Sequence, residues 1–395
     1  MKFAHFSDCH IGGWKEDKLK EINLACFKQA ISKVIEKKVD FLLIAGDLFN
    51  TALPQIDYIK EVTSELKQLK DLGIRIYMIA GSHDYSPSGK TMLEVLEKAG
   101  LIVNVMKFEN GKLKFTHDES GVKITGIFGK KGGLELSEYE RLDKESLEKE
   151  EGFKIFMFHT AINEFKPREF EDIEGADLAS LPNNFNYYAG GHIHYIFKKD
   201  FGKGFLTFPG ALFPNNFKEL EDYPYGGVYF YDGENLEFEE IKVKEVLSKE
   251  IDVNNLTPEK ATQKIIEEMK KVYFKDKIVT IRIIGVIDGK TSEIKFKDIF
   301  ESLEEAYFVL KNTARLSSKL VENIDIKKGT VEEIETQILK EVIEDNKIML
   351  EENEEIFTKE LIRILGIDKE DGEKVADYDK RILADALKVF KIENK

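Results

Sequence analysis

Cysteine, tryptophan and long apolar runs are all scarce in this sequence of 395 residues. It contains two cysteines, Cys9 and Cys26, and a single tryptophan. Two cysteines provide neither a disulfide framework nor a Cys-x-x-Cys zinc motif. No stretch approaches the roughly 18 to 20 uninterrupted apolar residues of a membrane span. The N-terminal residues 1–6 lack the apolar region of a signal peptide and predict a first strand. We therefore expect a reduced, cytoplasmic protein with no membrane segment.

Positive charge is also in deficit, because the net charge at pH 7 is −15. The deficit is uneven: residues 331–395 contain 19 acidic and 11 basic residues and so carry −8 of the total. The other 330 residues carry only −7, part of which bound divalent cations would neutralise. The acidity thus weakens a role in binding the phosphate backbone of nucleic acid without excluding it.

Strands and helices alternate along the first 110 residues, which predicts an α/β layered domain. The continuous apolar run at 40–45 (DFLLIA) is typical of a parallel strand covered on both faces. Apolar spacing predicts strands at 3–7, 40–45, 74–80, 122–127, 154–158, 187–190, 205–209 and 227–231. It predicts helices at 22–34, 56–72 and 91–99, and a charged helix with a solvated face at 137–152.

A second unit is expected after about residue 247. Thr257-Pro258-Glu259 is a helix start, and the helix is followed by a strand at 278–286, a further helix and a strand around 308–310. From residue 330 the sequence predicts helices at 332–352, 354–365 and 375–391. We therefore predict three domains, at 1–247, 248–325 and 326–395.

Polar side chains follow five of the predicted strands at the point where each strand ends. The carboxyl ends of strands in an α/β sheet share one edge, so these side chains are expected to meet. They are Asp8, His10, Asp47, Ser82, His83, His159, His192 and His194. The double-glycine segment 190–194 (GGHIH) is the strongest single signal, because alternate residues on an extended backbone point the same way.

Imidazole and carboxylate groups without thiolate suit manganese, iron or zinc. Five histidines and two aspartates at the strand ends exceed what one ion needs. A centre of two ions with a bridging carboxylate therefore fits the set best.

The motif order Asp8-x-His10, Gly46-Asp47, Gly81-x-His83-Asp84, His159 and Gly191-His192-x-His194 resembles the calcineurin-like metallophosphoesterases over about residues 1–235. Within them, the segments 46–49 (GDLF), 128–133 (FGKKGG) and 208–210 (FPG) resemble the SbcD-type DNA double-strand-break repair nucleases. The resemblance implies an α/β sandwich of two central sheets flanked by helices, followed by a small α/β capping domain and a helical C-terminal region. It implies a DNA nuclease activity that depends on two divalent metal ions, with manganese favoured.

The resemblance also implies a role for each side chain. Asp8, His10 and His194 would hold one metal together with the bridging Asp47, and Ser82, His159 and His192 would complete the second. His83 would be the catalytic histidine, and Asp84 would either orient it or cap its loop. Two positions depart from the family pattern: Ser82 stands where most relatives have Asn, and Asn50 where several have His.

Candidate contacts with DNA phosphates are Lys130, Lys131, Lys166, Arg168, Asn215 and Asn216. No arginine follows Gly46-Asp47, as it does in monoester phosphatases of the superfamily, so a phosphodiester substrate is favoured. The resemblance implies a homodimer and an SMC-like ABC ATPase of the SbcC type, bound through the C-terminal helices. The same helices could instead pack on the chain itself.

Three hypotheses from different classes are open on the sequence. The leading one is a DNA nuclease that acts with an ATPase in double-strand-break repair. The second is a phosphodiesterase for small nucleotides or other diesters, and the third is a non-catalytic scaffold that binds DNA or the ATPase. Under the scaffold hypothesis Ser82 would mark a decayed site, and the argument against it is that seven other site residues are intact: Asp8, His10, Asp47, His83, His159, His192 and His194.

Overall fold

The computed structural model describes residues 1–86, 91–319, 360–361, 363–367 and 375–389. The chain divides into two compact units. The first comprises Met1–Ile251, Ile265–Ile283 and Lys297–Ala314, and the second comprises Asp252–Lys264, Ile284–Phe296 and Arg315–Lys395. Nothing in this division tests the three predicted domain boundaries, which stay a prediction.

The described residues contain strands and helices in the following order along the chain. The strands are β1 (Phe3–Phe6), β2 (Phe41–Ala45), β3 (Arg75–Ile79), β4 (Val103–Asn104), β5 (Lys107–Glu109), β6 (Lys112–Lys114), β7 (Thr116–His117), β8 (Lys123–Ile127), β9 (Lys154–His159), β10 (Ala161–Ile162), β11 (Gly175–Ala176), β12 (Tyr187–Gly191), β13 (Ile196–Phe201), β14 (Gly204–Pro209), β15 (Gly227–Tyr231), β16 (Leu236–Glu240), β17 (Val246–Asp252), β18 (Ile278–Ile287) and β19 (Phe308–Ser318). The α-helices are α1 (Asp17–Glu36), α2 (Ile56–Asp71), α3 (Met92–Lys98), α4 (Leu136–Glu140), α5 (Lys144–Lys149), α6 (Phe217–Asp222), α7 (Pro258–Lys270), α8 (Phe296–Glu301) and α9 (Val375–Val389).

Two six-stranded sheets form the centre of the first unit. The first sheet has the order β16-β15-β1-β2-β3-β4, and the second has the order β13-β14-β12-β9-β8-β7. Strands β1 to β4 are mutually parallel, as are β8, β9, β12 and β14, whereas the outer strands β15, β16, β13 and β7 pair antiparallel. The parallel strands therefore bring their carboxyl ends to one edge of each sheet.

Apolar side chains stack these sheets into four layers. Alternate residues of β2 face opposite ways: Leu42 and Ile44 pack in the cluster that includes α1, α2 and α3, while Phe41 and Leu43 pack against the second sheet. Both faces of β2 are thus buried, which is why its sequence is a continuous apolar run. The outer face of the second sheet is covered by α4 and α5 through Tyr139 and Leu147. The predicted sandwich of two sheets flanked by helices is confirmed.

The predicted helix at 137–152 is wrong as a single element. It is two short helices, α4 and α5, because the chain breaks between them and Asp143 caps the second by accepting a hydrogen bond from the Ser146 amide. Its face is not wholly solvated either, since Tyr139 and Leu147 are buried.

Outside the two large sheets, β17, β18 and β19 form a three-stranded sheet, and β5–β6 and β10–β11 are two-stranded. The helix predicted at 375–391 is present as α9. The prediction at 332–352 and most of that at 354–365 lie outside the described residues. Among the helices that the structure describes, none combines the length and apolar character needed to cross a bilayer.

Candidate metal centre

The eight predicted site residues lie at the carboxyl ends of five parallel strands. Asp8 and His10 follow β1, Asp47 follows β2, and Ser82 and His83 follow β3. The second sheet contributes His159 at the end of β9, and His192 and His194 after β12. The expected meeting of side chains at one edge is therefore what the fold produces, and the site draws on both sheets.

Backbone geometry in these loops is unusual for residues other than glycine. The φ angles are +53° at Asp8, +42° at His10, +52° at Asp47 and +88° at His192. Conformations in this region cost free energy for a side chain with a Cβ, and they persist where the surrounding structure enforces them. The positions of the candidate ligands are therefore fixed by the folded backbone as well as by their own contacts.

Two buried carboxylates lie at the centre of the site. Oδ2 of Asp47 lies 3.1 Å from Nε2 of His159 and 3.7 Å from Nε2 of His10. Oδ1 of Asp8 lies 3.7 Å from Nε2 of His194. The potential ligand atoms form three sets, and within each set all the atoms lie within 4.8 Å of one another. Asp8 and Asp47 each belong to two of these sets. The sets are Asp8, His10 and His194; His10, Asp47 and His83; and Asp8, Asp47 and His159.

Backbone amides and hydroxyls support the same carboxylates. The His83 amide donates to Asp47 at 2.7 Å, and the His192 amide donates to Asp8 at 3.0 Å. The hydroxyl of Ser82 lies 3.4 Å from Oδ2 of Asp47, and the side chain is buried. Ser82 is therefore at the site, beside the carboxylate predicted to bridge the ions. The ring of His192 lies against that of His159, with centroids 5.2 Å apart.

In His159 and His194 the outer nitrogen, Nδ1, is held by an acceptor that points Nε2 inward. Nδ1 of His159 donates to the carbonyl of Ala45 at 2.8 Å, and Nδ1 of His194 lies 3.0 Å from a carboxylate oxygen of Glu219. Partners of this kind fix the ring orientation and tautomer of a metal-binding histidine. Glu219 was missed in the sequence analysis, although Asn216 followed three residues later by Glu219 has the pattern of a helix start.

The electrostatics of the site favour ionised carboxylates. Burial alone would raise the pKa of Asp8, but the nearby His194 and His159 outweigh it and lower that pKa to about 2. The pKa of His159 rises to about 9, because Asp47 outweighs the opposing effect of burial. Burial lowers the pKa of His10 and of His192 to about 4. The charges of the carboxylates are thus balanced by protons on neighbouring imidazoles, which a bound cation would displace.

His83 is oriented by a backbone carbonyl rather than by Asp84. Its Nδ1 donates to the carbonyl of Asn50 at 2.9 Å, and its ring lies 4.7 Å from that of His10, centroid to centroid. The Asp84 carboxylate instead accepts from the amides of Leu48, Phe49 and Gly81. Of the two roles considered for Asp84, the structure supports the one that holds the loops together.

The predicted DNA contacts differ in how far they are already engaged. Lys130 pairs with Glu138 at 2.9 Å, Lys166 donates to the carbonyl of Ile173 at 2.6 Å, and Asn216 caps α6 by accepting from the Glu219 amide. Lys131 and Arg168 are exposed. Asn215 lies near the metal centre, with its amide nitrogen 3.5 Å from the side-chain oxygen of Asn50.

The donor set fits divalent metal ions. Carboxylate oxygens and imidazole nitrogens converge, while Cys9, between Asp8 and His10 in sequence, is buried in the apolar cluster beneath the site. Nδ1 of His10 is buried without a hydrogen-bond partner in the described part of the chain. Nitrogen and oxygen ligands without sulfur are typical of manganese, iron and zinc sites that hydrolyse phosphate esters.

A layered α/β sandwich with such a centre at its strand ends defines a metal-dependent phosphoesterase. Residues 1–195 match the family described as Calcineurin-like phosphoesterase, and the chain contains a domain of that family.

Curated relatives match over most of the chain. It is 28% identical to the DNA double-strand break repair protein Mre11 of Methanococcus maripaludis, over 86% of this chain and 91% of that protein. It is 28% identical to the protein of the same name from Methanocaldococcus jannaschii, over 85% and 88% of the two chains. With the Sulfolobus acidocaldarius protein, the identity is 27% over 96% of this chain and 98% of the relative.

Proposed function

We propose that this chain is a DNA nuclease that hydrolyses phosphodiester bonds with two divalent metal ions in the repair of double-strand breaks. The observation that carries the proposal is the pair of buried carboxylates, Asp8 and Asp47, surrounded by inward-facing imidazoles. Relatives named as DNA double-strand break repair proteins support DNA as the substrate.

The ligand assignment divides the site into two halves that share Asp47. Asp8, His10 and His194 would hold one ion with Asp47, and Ser82, His159 and His192 would complete the second. Manganese is the favoured ion, because imidazole and carboxylate donors bind it without thiolate. When bound, such a pair of ions lowers the pKa of water and stabilises the charge that develops on the attacked phosphate.

His83 is the candidate general acid of the reaction. Because the Asn50 carbonyl can only accept a hydrogen bond, Nδ1 of His83 carries a proton. In the doubly protonated ring Nε2 carries the second proton, and this is the proton that would pass to the leaving oxygen. Every residue type at position 50 supplies such a carbonyl, so the replacement by Asn50 of the His found in several relatives does not remove this hydrogen bond.

A phosphodiester carries one negative charge less than a phosphomonoester. The sequence after Asp47, Leu48-Phe49-Asn50-Thr51, offers no extra cation for a monoester dianion. For a long substrate such as DNA, the exposed Lys131 and Arg168 are the predicted side chains most available for phosphate contacts. Lys130, Lys166, Asn215 and Asn216 would exchange their present partners.

Two protein partners belong to the same proposal. An SMC-like ABC ATPase of the SbcC type would bind the C-terminal helices, whose acidity favours a protein surface over DNA. A homodimer would form through the first helices, where Leu53, in the loop before α2, is 70% exposed and Ile56, the first residue of α2, is 81% exposed. The proposed location is the cytoplasm.

The decisive experiment is degradation of linear DNA with manganese or with magnesium, comparing wild type with His83→Ala. We expect the variant to lose cleavage by at least about a hundredfold, since general acid catalysis contributes about that much or more. It should retain both manganese ions, measured by elemental analysis. His117→Ala is the matched control, because His117 is an exposed histidine on β7.

Each other outcome points to a different function. A wild-type chain without nuclease activity, alone or with its ATPase, contradicts the proposal. Cleavage of bis-para-nitrophenyl phosphate without cleavage of DNA would indicate a phosphodiesterase for small substrates. Binding of two ions with no hydrolysis of either substrate would indicate a scaffold.

A further inference from the structure

Glu219 connects the metal centre to helix α6. Its Oε2 lies 3.0 Å from Nδ1 of His194 and accepts a hydrogen bond from the backbone amide of Asn215 at 2.7 Å. Its Oε1 accepts a hydrogen bond from the side-chain amide of Asn216 at 2.5 Å. Both carboxylate oxygens are therefore engaged, so the carboxylate has a fixed position. Asn216 also caps α6 by accepting from the Glu219 amide, which ties the same residue to the start of the helix.

The contacts continue from Glu219 to the catalytic histidine. Asn215, whose amide is bonded to Glu219, places its side chain 3.5 Å from the side-chain oxygen of Asn50. The carbonyl of Asn50 in turn accepts from His83. Glu219, Asn215 and Asn50 thus form a chain of contacts, here called the strap, that joins His194 of the second sheet to His83 of the first.

Gly13 makes room for the strap. A Cβ at this position would lie 2.3 Å from the side-chain oxygen of Asn215 and 3.1 Å from that of Asn50. Only glycine leaves both amide side chains where they are. The close approach shows that the two asparagines are packed into a fitted space beside His10, whose carbonyl is 3.1 Å from the same point.

We propose that Glu219 is a positioning residue for His194 and that Asn215 extends its effect through Asn50 to His83. This inference rests on the proposed function, in which His194 is a metal ligand and His83 the general acid. It gives Asn215 a structural task inside the site, in place of the DNA contact predicted from the sequence.

Glu219→Gln tests the first half, because an amide cannot replace both carboxylate oxygens. The NH2 group of the glutamine would face a hydrogen-bond donor in either orientation of the amide. In one orientation it faces His194 and the backbone amide of Asn215, and in the other it faces the side-chain amide of Asn216. We expect manganese titration calorimetry to show one of the two ions bound about 10 to 100 times more weakly, with the other unchanged. Glu221→Gln is the matched control: Glu221 lies one half-turn further along α6 and pairs with Arg282, so its loss lowers the melting temperature and leaves metal affinity unchanged.

Asn215→Ala tests the second half with a substrate too small to reach a DNA-binding surface. The variant keeps the backbone amide that donates a hydrogen bond to Glu219, so manganese affinity should stay at the wild-type level. We expect kcat for bis-para-nitrophenyl phosphate to fall roughly tenfold with little change in KM, since small displacements of a catalytic group cost rate. An Asn215 that only contacts DNA would leave this kcat unchanged.

The inference would be overturned if Glu219→Gln and wild type gave the same manganese-binding isotherm. It would also be overturned if Glu221→Gln weakened manganese binding equally, or if the wild-type chain bound no manganese. Unchanged kcat in Asn215→Ala would overturn its extension to His83. Failure of the proposed function looks different: wild type binds manganese, Glu219→Gln weakens that binding, and DNA remains intact.

Discussion

At the scale of single residues, the metal centre depends on glycines as much as on its ligands. Gly46 precedes Asp47 with φ of +92°, and a Cβ there would lie 2.2 Å from Nδ1 of His159. That nitrogen is the one bonded to the Ala45 carbonyl. The glycine therefore lets a ligand from the second sheet approach the loop of the first.

Gly46→Ala should displace the His159 ring and strain the backbone together. We expect the free energy of unfolding to fall by about 2–4 kcal/mol from overpacking and a left-handed alanine, and manganese affinity to fall at least about tenfold. Urea unfolding and calorimetry measure the two effects.

Gly73→Ala separates these two causes. Gly73 has φ of +78°, but no described atom lies within 4 Å of the position of its Cβ. This control should lose about 1 kcal/mol from backbone strain and keep its manganese affinity. Equal metal binding by Gly46→Ala and wild type would contradict the steric argument.

The sequence could predict most of the site residues but few of the groups that hold them. Asp8, His10 and Asp47 follow strands in a recognisable order, so their meeting at one edge follows from the rule for parallel sheets. Glu219 comes from a helix far along the chain, and its contact with His194 depends on how the loop after β14 folds. The orientation of His83 by a backbone carbonyl has no sequence signal, since every residue type supplies one.

At the scale of elements, buried polar contacts decide where helices end. Lys154 begins β9, is only 2% exposed, and donates to the carbonyls of Leu147 and Glu148 at the end of α5. A cation at a helix C-terminus satisfies carbonyls that lack a partner within the helix. Its amine also lies over the ring of Phe185. Apolar periodicity predicted one helix here and missed the break, although the Asp143 cap is a local feature of the sequence. The lysine contact, by contrast, is a tertiary feature.

Lys154→Met should leave those carbonyls buried without a donor. We expect the free energy of unfolding to fall by roughly 2 kcal/mol, the range for hydrogen bonds from a charged group, in urea denaturation at pH 7.

Lys149→Met is the matched control in the same helix. Lys149 is 73% exposed and pairs with Glu145 one turn away, so its removal should change stability by less than about 0.5 kcal/mol. Similar losses in both variants would show that burial of Lys154 contributes nothing specific.

At the scale of the whole molecule, the candidate ligands belong to two separate sheets. Asp8, His10, Asp47 and Ser82 follow strands of the first sheet, whereas His159, His192 and His194 follow strands of the second. An ion bound by both groups therefore links the two layers. The predicted strands that precede these residues are the strands that build the sandwich.

Manganese should consequently raise the melting temperature of the protein. At about 100 times the dissociation constant, one ion adds roughly 2.7 kcal/mol to the free energy of unfolding, and chelation should reverse the effect. Differential scanning calorimetry should show the shift in wild type and in His117→Ala, and most of it should vanish in Asp47→Asn. A full shift in Asp47→Asn would place the stabilising ions elsewhere.

The left-handed backbone at Asp8, His10, Asp47 and His192 also limits how this site evolves. Among residues with a side chain, Asn, Asp and His are enriched in that conformation. Those three types also carry the oxygen and nitrogen atoms that bind metals. A glycine would relieve the backbone and delete the ligand, while a branched substitute would strain the loop. Few residue types are therefore tolerated at these positions, and the backbone conformation excludes most substitutions even before the loss of a metal ligand is considered.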